Sequence, residues 1–274
     1  MPAISSPYEY PSKGKCLYCE ETQNLTREHI IPESLGGRIY LVDGSCLACS
    51  SITKRFEEIF ARKMYWGLRL KLRIKGKRRK KSEKITHWNV DILDDESEES
   101  VSVEVAKLPL LYAVLELPPA GILLGEAPRD TNPNMRVILR GDPVGMAACA
   151  RELGCGKLKI ENTIDWNAYN RVLAKIAHAY TIACLGFRGL QPLLLPIIRG
   201  EDGRFPYFIG GVLPPAEALE PHTDLELLHR EINGDSFICV RIGLLGGRFP
   251  TYEVVSAKVV DMDLNAPTTR SSMT

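Results

Sequence analysis

Two closely spaced cysteine pairs constrain this chain more than any other feature. Each pair is a CxxC motif, and together they supply four thiols, those of Cys16, Cys19, Cys46 and Cys49. A structural zinc ion takes four nitrogen or sulfur ligands in a tetrahedron, and two CxxC turns provide that geometry. In a reducing compartment, paired cysteines favour a metal over a disulfide. The sequence therefore predicts a structural Zn²⁺ site made by these four residues.

The segment between the two pairs is longer than a simple zinc ribbon needs. It holds 26 residues. Residues 25–31 and the segment RIYLV predict two short strands, and Pro32 with the pair Gly36–Gly37 predicts a turn between them. After the second pair, apolar residues recur at three- and four-residue spacing over residues 51–72, which predicts a helix. Strand, strand and helix around a histidine is the order of a ββα-metal finger.

The composition limits the classes of protein to which the chain can belong. The chain has 274 residues, 45% of them hydrophobic, so it can bury a core as one large domain or two small ones. No run approaches the roughly 20 apolar residues that a membrane helix needs, and the N-terminal residues lack the apolar core of a secretory signal. We therefore expect a cytoplasmic protein that does not bind a membrane.

Basic residues are concentrated directly after the cysteine-framed segment. The net charge of the chain is only +1, yet residues 50–84 carry fourteen basic side chains against three acidic ones. Such a block predicts binding to a polyanion. The run KGKRRKKSEK is too charged to pack, so it is either an arm over nucleic acid or a solvated linker. Phosphate contacts of this kind give salt-sensitive affinity without base specificity.

The remainder of the chain predicts a mixed α+β fold. The segments ITHWNVDILDD and SVSVEVAKL predict a β-hairpin, and SFICVRIGLL with FPTYEVVSAKVV predicts a second one around Gly246–Gly247. Between them, apolar residues share one stripe over residues 165–185, which predicts a helix. Asp165 or Thr163 is a candidate for its N-cap, and Gly186 is placed to end it.

The motifs CLYC, EHIIP, GG and CLAC, in that order, resemble the HNH endonuclease superfamily in its zinc-knuckle branch. The resemblance covers about residues 16–60, and the whole is similar to bacterial stand-alone HNH proteins with a long uncharacterised C-terminal half. The composition of residues 1–15 predicts a flexible lead-in. The resemblance implies a ββα-metal nuclease-like domain over 16–65, followed by a basic helix and linker over 66–84. Residues 85–274 would form an α+β domain that recognises the target, a protein partner or a second copy of the chain.

The resemblance also implies roles for single residues. Glu28 would ligate a catalytic Mg²⁺ or Mn²⁺ ion, and His29 would be the general base that takes a proton from the attacking water. Ser50 stands where the family usually has an Asn or His as the second metal ligand, and the strand LVDGS lacks the Asn that the family usually carries. A serine hydroxyl can ligate Mg²⁺. Glu57, two turns along the helix, is an alternative ligand.

The implied function is a metal-dependent endonuclease that hydrolyses phosphodiester bonds of double-stranded DNA, in phage defence or restriction. The nucleic-acid contacts would come from seven basic residues of the helix and arm: Lys54, Arg55, Arg62, Lys77, Arg78, Arg79 and Lys80. Two alternatives stay open. One is a catalytically decayed, zinc-stabilised module that holds nucleic acid without cutting it, which Ser50 favours. The other is a sensor or adaptor of a defence system, in which the C-terminal half is the active part.

Overall fold

The cysteine-framed part of the chain folds as a three-stranded sheet covered by a helix. The computed structural model describes residues 8–74, 87–94, 97–131, 134–155, 157–159, 163–212 and 225–261. Its first elements are β1 (Tyr8–Tyr10), β2 (Leu25–His29), β3 (Ile39–Cys46), α1 (Leu47–Glu58) and α2 (Trp66–Lys71). Strand β3 lies in the centre, parallel to β1 and antiparallel to β2. The predicted strand, strand, helix order is confirmed.

The turn between β2 and β3 depends on its two glycines. A short 3-10 helix, Glu33–Leu35, ends at Gly36, whose φ of 83° lies in the left-handed region. A Cβ atom on Gly37 would lie 2.0 Å from the carbonyl oxygen of Ile31. Only glycine tolerates both conditions without strain, so the GG motif is what returns the chain from β2 to β3.

The helical segment after the second cysteine pair differs from the continuous helix predicted over residues 51–72. It begins earlier, at Leu47, because the Cys46 sulfur accepts a hydrogen bond from the Cys49 N–H and caps the first turn. It then widens into a π-helix over Ile59–Met64 and breaks at Tyr65 before α2. The break directs the Tyr65 hydroxyl into the core, where it donates to the Ala113 carbonyl oxygen at 2.8 Å. The apolar periodicity was thus correct, but tertiary packing interrupts the helix.

The rest of the chain forms three more sheets and four helices within its described residues. The elements are β4 (His87–Asp94), β5 (Ser97–Glu104), β6 (Leu111–Glu116), β7 (Arg136–Gly141), α3 (Pro143–Glu152), β8 (Lys157–Lys159), α4 (Trp166–Leu185), β9 (Leu190–Pro192), α5 (Leu195–Arg199), α6 (Phe205–Phe208), β10 (Ile209–Gly211), β11 (Leu225–Ile232), β12 (Asp235–Ile242) and β13 (Tyr252–Val259). The largest sheet has the order β10-β13-β12-β11, with β9 paired to β13. Both predicted hairpins, β4 with β5 and β12 with β13, are present.

Helix α4 is the central element that joins the two parts of the chain. The Asp165 carboxylate accepts a hydrogen bond from the Ala168 N–H at 2.8 Å, and Gly186 caps the other end, so its predicted limits are confirmed. The helix packs on α1 on one side and on β12 and β13 on the other. One large core joins the two parts and includes Phe56 of α1 and Val254 of β13, while Val90, Val103, Leu108 and Cys149 form a smaller separate cluster. The α+β fold class is therefore confirmed, and α4 brings C-terminal residues to the cysteine-framed part.

A search for membrane-spanning segments gave none: among the described residues, no helix combines the length and the apolar character needed to cross a bilayer.

Candidate nuclease and zinc site

The four cysteines converge at one point. Their sulfur atoms all lie within 4.8 Å of one another, and the sulfurs of Cys19 and Cys46 are 3.6 Å apart. A tetrahedral zinc ion with Zn–S bonds of about 2.3 Å places its sulfurs roughly 3.8 Å apart, so the spacing fits Zn²⁺. Three of the thiols are buried and Cys19 is exposed. The predicted zinc ligands are therefore brought together.

Backbone amides surround the same sulfurs. The N–H groups of Tyr18 and Cys46 each point to the Cys16 sulfur at 3.4 Å, and the Cys49 N–H points to the Cys46 sulfur at 3.4 Å. Amides in this position stabilise the thiolate form that binds zinc and fix the orientation of each ligand. In addition, the Leu17 N–H donates to the Gly44 carbonyl oxygen at 2.8 Å. The cluster therefore ties the N-terminal loop to the end of β3 and the start of α1.

His29 lies at the end of β2, opposite Tyr40 of β3. Its side chain is half-buried, and its ring centroid is 5.8 Å from that of Tyr40. The exposed Arg27 guanidinium lies over the same Tyr40 ring, 4.0 Å from its centroid. An imidazole and a guanidinium thus share one side of the strand, an arrangement that places a base beside a permanent positive charge.

Glu28 points the opposite way, into the interior. The residue is 5% exposed, and its Oε1 lies 2.7 Å from the Lys175 Nζ of α4. The Tyr18 hydroxyl donates to the same oxygen at 3.1 Å. Gly44 of β3 makes room for this side chain, because a Cβ atom there would lie 2.7 Å from the Glu28 Cβ.

Lys175 also contacts a second carboxylate. Its side chain is 1% exposed, and its Nζ lies 3.0 Å from Oε1 of Glu57 on α1, whose side chain is 21% exposed. The same ammonium donates to the carbonyl oxygens of His29 and Ile30. We call Glu28, Glu57, Lys175 and Tyr18 the Lys175 cluster. It connects β2, α1 and α4 around one positive charge.

Burial and charge act on the cluster in opposite directions. Burial alone would lower the pKa of Lys175, but the carboxylates of Glu28 and Glu57 outweigh it and raise the pKa, so the ammonium stays charged. Burial raises the pKa of Glu57, with Lys175 opposing the shift and Glu28 adding to it. Burial, followed by the charge of Glu28, holds the pKa of the Tyr18 hydroxyl well above its usual value, so this group stays a hydrogen-bond donor.

The catalytic ion implied by the family resemblance does not fit this arrangement. Carboxylate and carbonyl oxygens are suitable ligands for Mg²⁺. However, Glu28 is buried and paired with an ammonium group, and the Ser50 hydroxyl donates to the Leu47 carbonyl oxygen at 3.1 Å within its own helix. The two expected ligands therefore each have another partner, and Glu57, the alternative ligand, has the same partner as Glu28.

The basic residues of α1 lie on its solvent side. Lys54 and Arg55 are exposed, whereas Thr53 and Phe56 of the same helix are buried. Arg62, in the π-helix, is exposed and lies 3.7 Å from Glu58. The remaining predicted contacts, Lys77, Arg78, Arg79 and Lys80, lie outside the residues that the structure describes.

Sequence reasoning did not identify Lys175 or Tyr18 as site residues. One signal for Lys175 was present, because it stands in the segment VLAKIAHAY of a helix that is apolar on nearly every side. A helix of that kind is buried, and a buried lysine requires an opposite charge. Its partners could not be inferred, since they come from two distant elements.

The cysteine-framed part of the chain is similar to a known protein family. A family model described as HNH endonuclease matches residues 16–65. Searches of the curated proteins and of the solved structures gave no significant match. The matched segment begins at Cys16, the first cysteine of the cluster, and ends at Tyr65, directly after the π-helix that follows α1. Residues 16–65 are therefore similar to the HNH endonuclease family and contain a four-cysteine cluster like that of a zinc knuckle; we call these residues the HNH unit.

Proposed function

We propose that this chain is an HNH-type endonuclease that hydrolyses DNA phosphodiester bonds, with His29 as the general base. The observation that carries the proposal is the position of His29. It ends β2 inside a cysteine-framed ββα unit, on the side of the strand that it shares with the exposed Arg27. A buried imidazole with no such neighbour would not support this role.

The chemistry assigned to these residues is direct. His29 takes a proton from a water molecule while the water oxygen forms a bond to phosphorus. The bond from phosphorus to the leaving sugar oxygen breaks, and that oxygen takes a proton from solvent. A positioned general base contributes roughly 10²- to 10⁴-fold to such a rate. Arg27 adds a permanent positive charge on the side of the strand where negative charge develops.

The substrate is held through its phosphates. Lys54 and Arg55 are exposed on α1, and Arg62 continues the row beyond that helix. These side chains would contact the backbone of double-stranded DNA without reading its bases. The arm residues Lys77, Arg78, Arg79 and Lys80 would extend the contact. We assign recognition of the target, of a protein partner or of a second copy to residues 85–274, and a cytoplasmic role in phage defence or restriction to the whole.

A catalytic Mg²⁺ or Mn²⁺ ion is the part of the resemblance that the structure does not favour. When present in such a site, the ion supplies positive charge to the leaving oxygen. Here the Glu28 carboxylate is paired with Lys175 instead. That ion pair favours a second candidate function, a zinc-stabilised module that holds nucleic acid and does not cut it.

A nicking assay separates the two candidates. Zinc-loaded protein and its His29→Ala variant are incubated with supercoiled plasmid, with Mg²⁺, with Mn²⁺ and without added divalent ion, and binding is measured in parallel by gel shift. An endonuclease nicks the plasmid, and His29→Ala binds but does not nick. Binding by both proteins with no nicking under any condition supports the holding module.

A further inference from the structure

We propose that Lys175 is the resident cation of the HNH unit: its ammonium group occupies the cation position beside Glu28 and competes with divalent ions for the cluster carboxylates. This inference concerns the site to which the proposed function is assigned. It does not depend on whether the chain cuts DNA.

The oxygen atoms around the Lys175 Nζ form a shell of the kind that surrounds a hard cation. They are Oε1 of Glu28 at 2.7 Å, Oε1 of Glu57 at 3.0 Å and the carbonyl oxygens of His29 and Ile30. Carboxylate and backbone carbonyl oxygens converging on one point are the ligands that Mg²⁺, Mn²⁺ and Ca²⁺ prefer. In this chain the point is filled by a side chain that arrives from α4 and is 1% exposed.

If the Lys175 ammonium is removed, the charges of the remaining carboxylates favour binding of a divalent ion in its place. One ammonium faces two carboxylates, of which Glu28 is almost fully buried. Two carboxylates taken out of water require a compensating positive charge. A methionine at position 175 keeps the approximate length of the side chain but carries no charge, so the oxygen shell would lack its cation. A divalent ion would then neutralise both carboxylates.

The same contacts make Lys175 a positioning residue for the proposed base. Its ammonium donates to the carbonyl oxygen of His29, so the backbone that carries the imidazole is fixed by a residue of the C-terminal half. This polar contact adds to the hydrophobic core that the HNH unit shares with α4.

The test is a Mn²⁺ titration of zinc-loaded, full-length protein, followed by electron paramagnetic resonance, which distinguishes free from bound Mn²⁺. Four proteins are compared: wild type, Lys175→Met, Lys175→Met with Glu28→Gln, and the surface control Lys258→Met. We expect Lys175→Met to bind one Mn²⁺ ion at least tenfold more tightly than wild type. The additional Glu28→Gln change should remove that gain, and Lys258→Met should resemble wild type.

Two results would overturn the inference. The first is a folded, zinc-loaded Lys175→Met protein with no gain in Mn²⁺ affinity. The second is a wild-type protein that already binds Mn²⁺ tightly and loses that binding in Glu28→Gln alone. If Lys175→Met does not fold, the comparison of wild type with Glu28→Gln decides, because equal, weak Mn²⁺ binding by both supports the inference. Mn²⁺ binding is read without DNA, so failure of the nuclease proposal would leave the outcome unaffected.

Discussion

The Nζ of Lys175 lies 2.7 Å from Oε1 of Glu28, and this ion pair links the long helix of the C-terminal half to the strand that ends in His29. Both side chains are removed from solvent. The acidic residue of the EHIIP motif therefore has a structural partner outside residues 16–65, which the family model matches. The HNH unit is completed by α4 and is not an independent module in its packing.

Loss of Lys175 should destabilise the protein strongly. Removing one partner of a buried ion pair leaves the other charge uncompensated and costs about 3–5 kcal/mol. We expect Lys175→Met to lower the free energy of unfolding by that amount in urea without divalent ions, whereas Lys258→Met, at a surface pair with Asp235, should change it by less than about 1 kcal/mol. Adding Glu28→Gln to Lys175→Met should restore part of the loss. Equal stability of Lys175→Met and wild type would show that the pair contributes nothing.

The elements whose signals are local were predictable from the sequence. The four cysteines, the GG turn and the two strands that they bracket follow from motif spacing, and α4 follows from its stripe together with Asp165 and Gly186. The interruption of the basic helix was not predictable, because it results from the contact of Tyr65 with Ala113 in a distant strand. The orientation of Glu28 was missed for the same reason, since Lys175 comes from a separate helix.

Zinc removal should unfold more than the cysteine-framed segment. The four-cysteine cluster ties together β3, α1 and the loop that contains Leu17. The Nε2 atom of the buried His178, on α4, lies 2.7 Å from the Leu17 carbonyl oxygen. We expect one zinc ion per chain by elemental analysis. Cys46→Ser should lower zinc content and expose amides of α4 to hydrogen exchange, because binding energy at a structural zinc site is folding energy.

The matched control for the zinc experiment is Cys149→Ser, which replaces a buried cysteine outside the cluster. It should keep a full zinc content. Protection of α4 that is unchanged by zinc loss would contradict the coupling of the two parts.

Acid should destabilise the protein through His178. Burial lowers the pKa of this side chain to about 4, whereas an unfolded histidine titrates near 6.5. The folded state therefore resists protonation, so His178 contributes its full stability above about pH 6.5 and this contribution is lost as the pH falls towards 4. The difference amounts to about 3 kcal/mol at most.

His178→Gln provides the comparison, because glutamine keeps an N–H donor for Leu17 but cannot be protonated. Urea unfolding of both zinc-loaded proteins at pH about 7, 6 and 5 should show a steeper loss of stability in wild type. Loss of zinc at low pH affects both proteins, so the difference between them isolates His178. Parallel curves would mean that folding does not lower the pKa of His178.

The exposed basic side chains of α1 should control the affinity for DNA through their charge alone. Each phosphate that a basic side chain neutralises contributes about 0.9 to the slope of log affinity against log salt concentration. The double change Lys54→Ala with Arg55→Ala should weaken duplex binding for all sequences alike and reduce that slope by roughly 2. Fluorescence anisotropy at several salt concentrations measures both quantities. Lys258→Ala, on β13, is the control and should leave the slope unchanged. An unchanged slope in the double variant would place the DNA away from α1.

The role of His29 as the general base is tested most directly by the single-turnover cleavage rate of a labelled DNA duplex, measured for wild type, His29→Ala and His229→Ala. His229 is an exposed histidine on β11, so its replacement matches the chemical change without touching the HNH unit. A general base accounts for roughly 10²- to 10⁴-fold in rate. We expect His29→Ala to slow cleavage at least a hundredfold with DNA affinity and zinc content intact, while His229→Ala cuts at the wild-type rate. Cleavage by His29→Ala at the wild-type rate would show that His29 is not the general base.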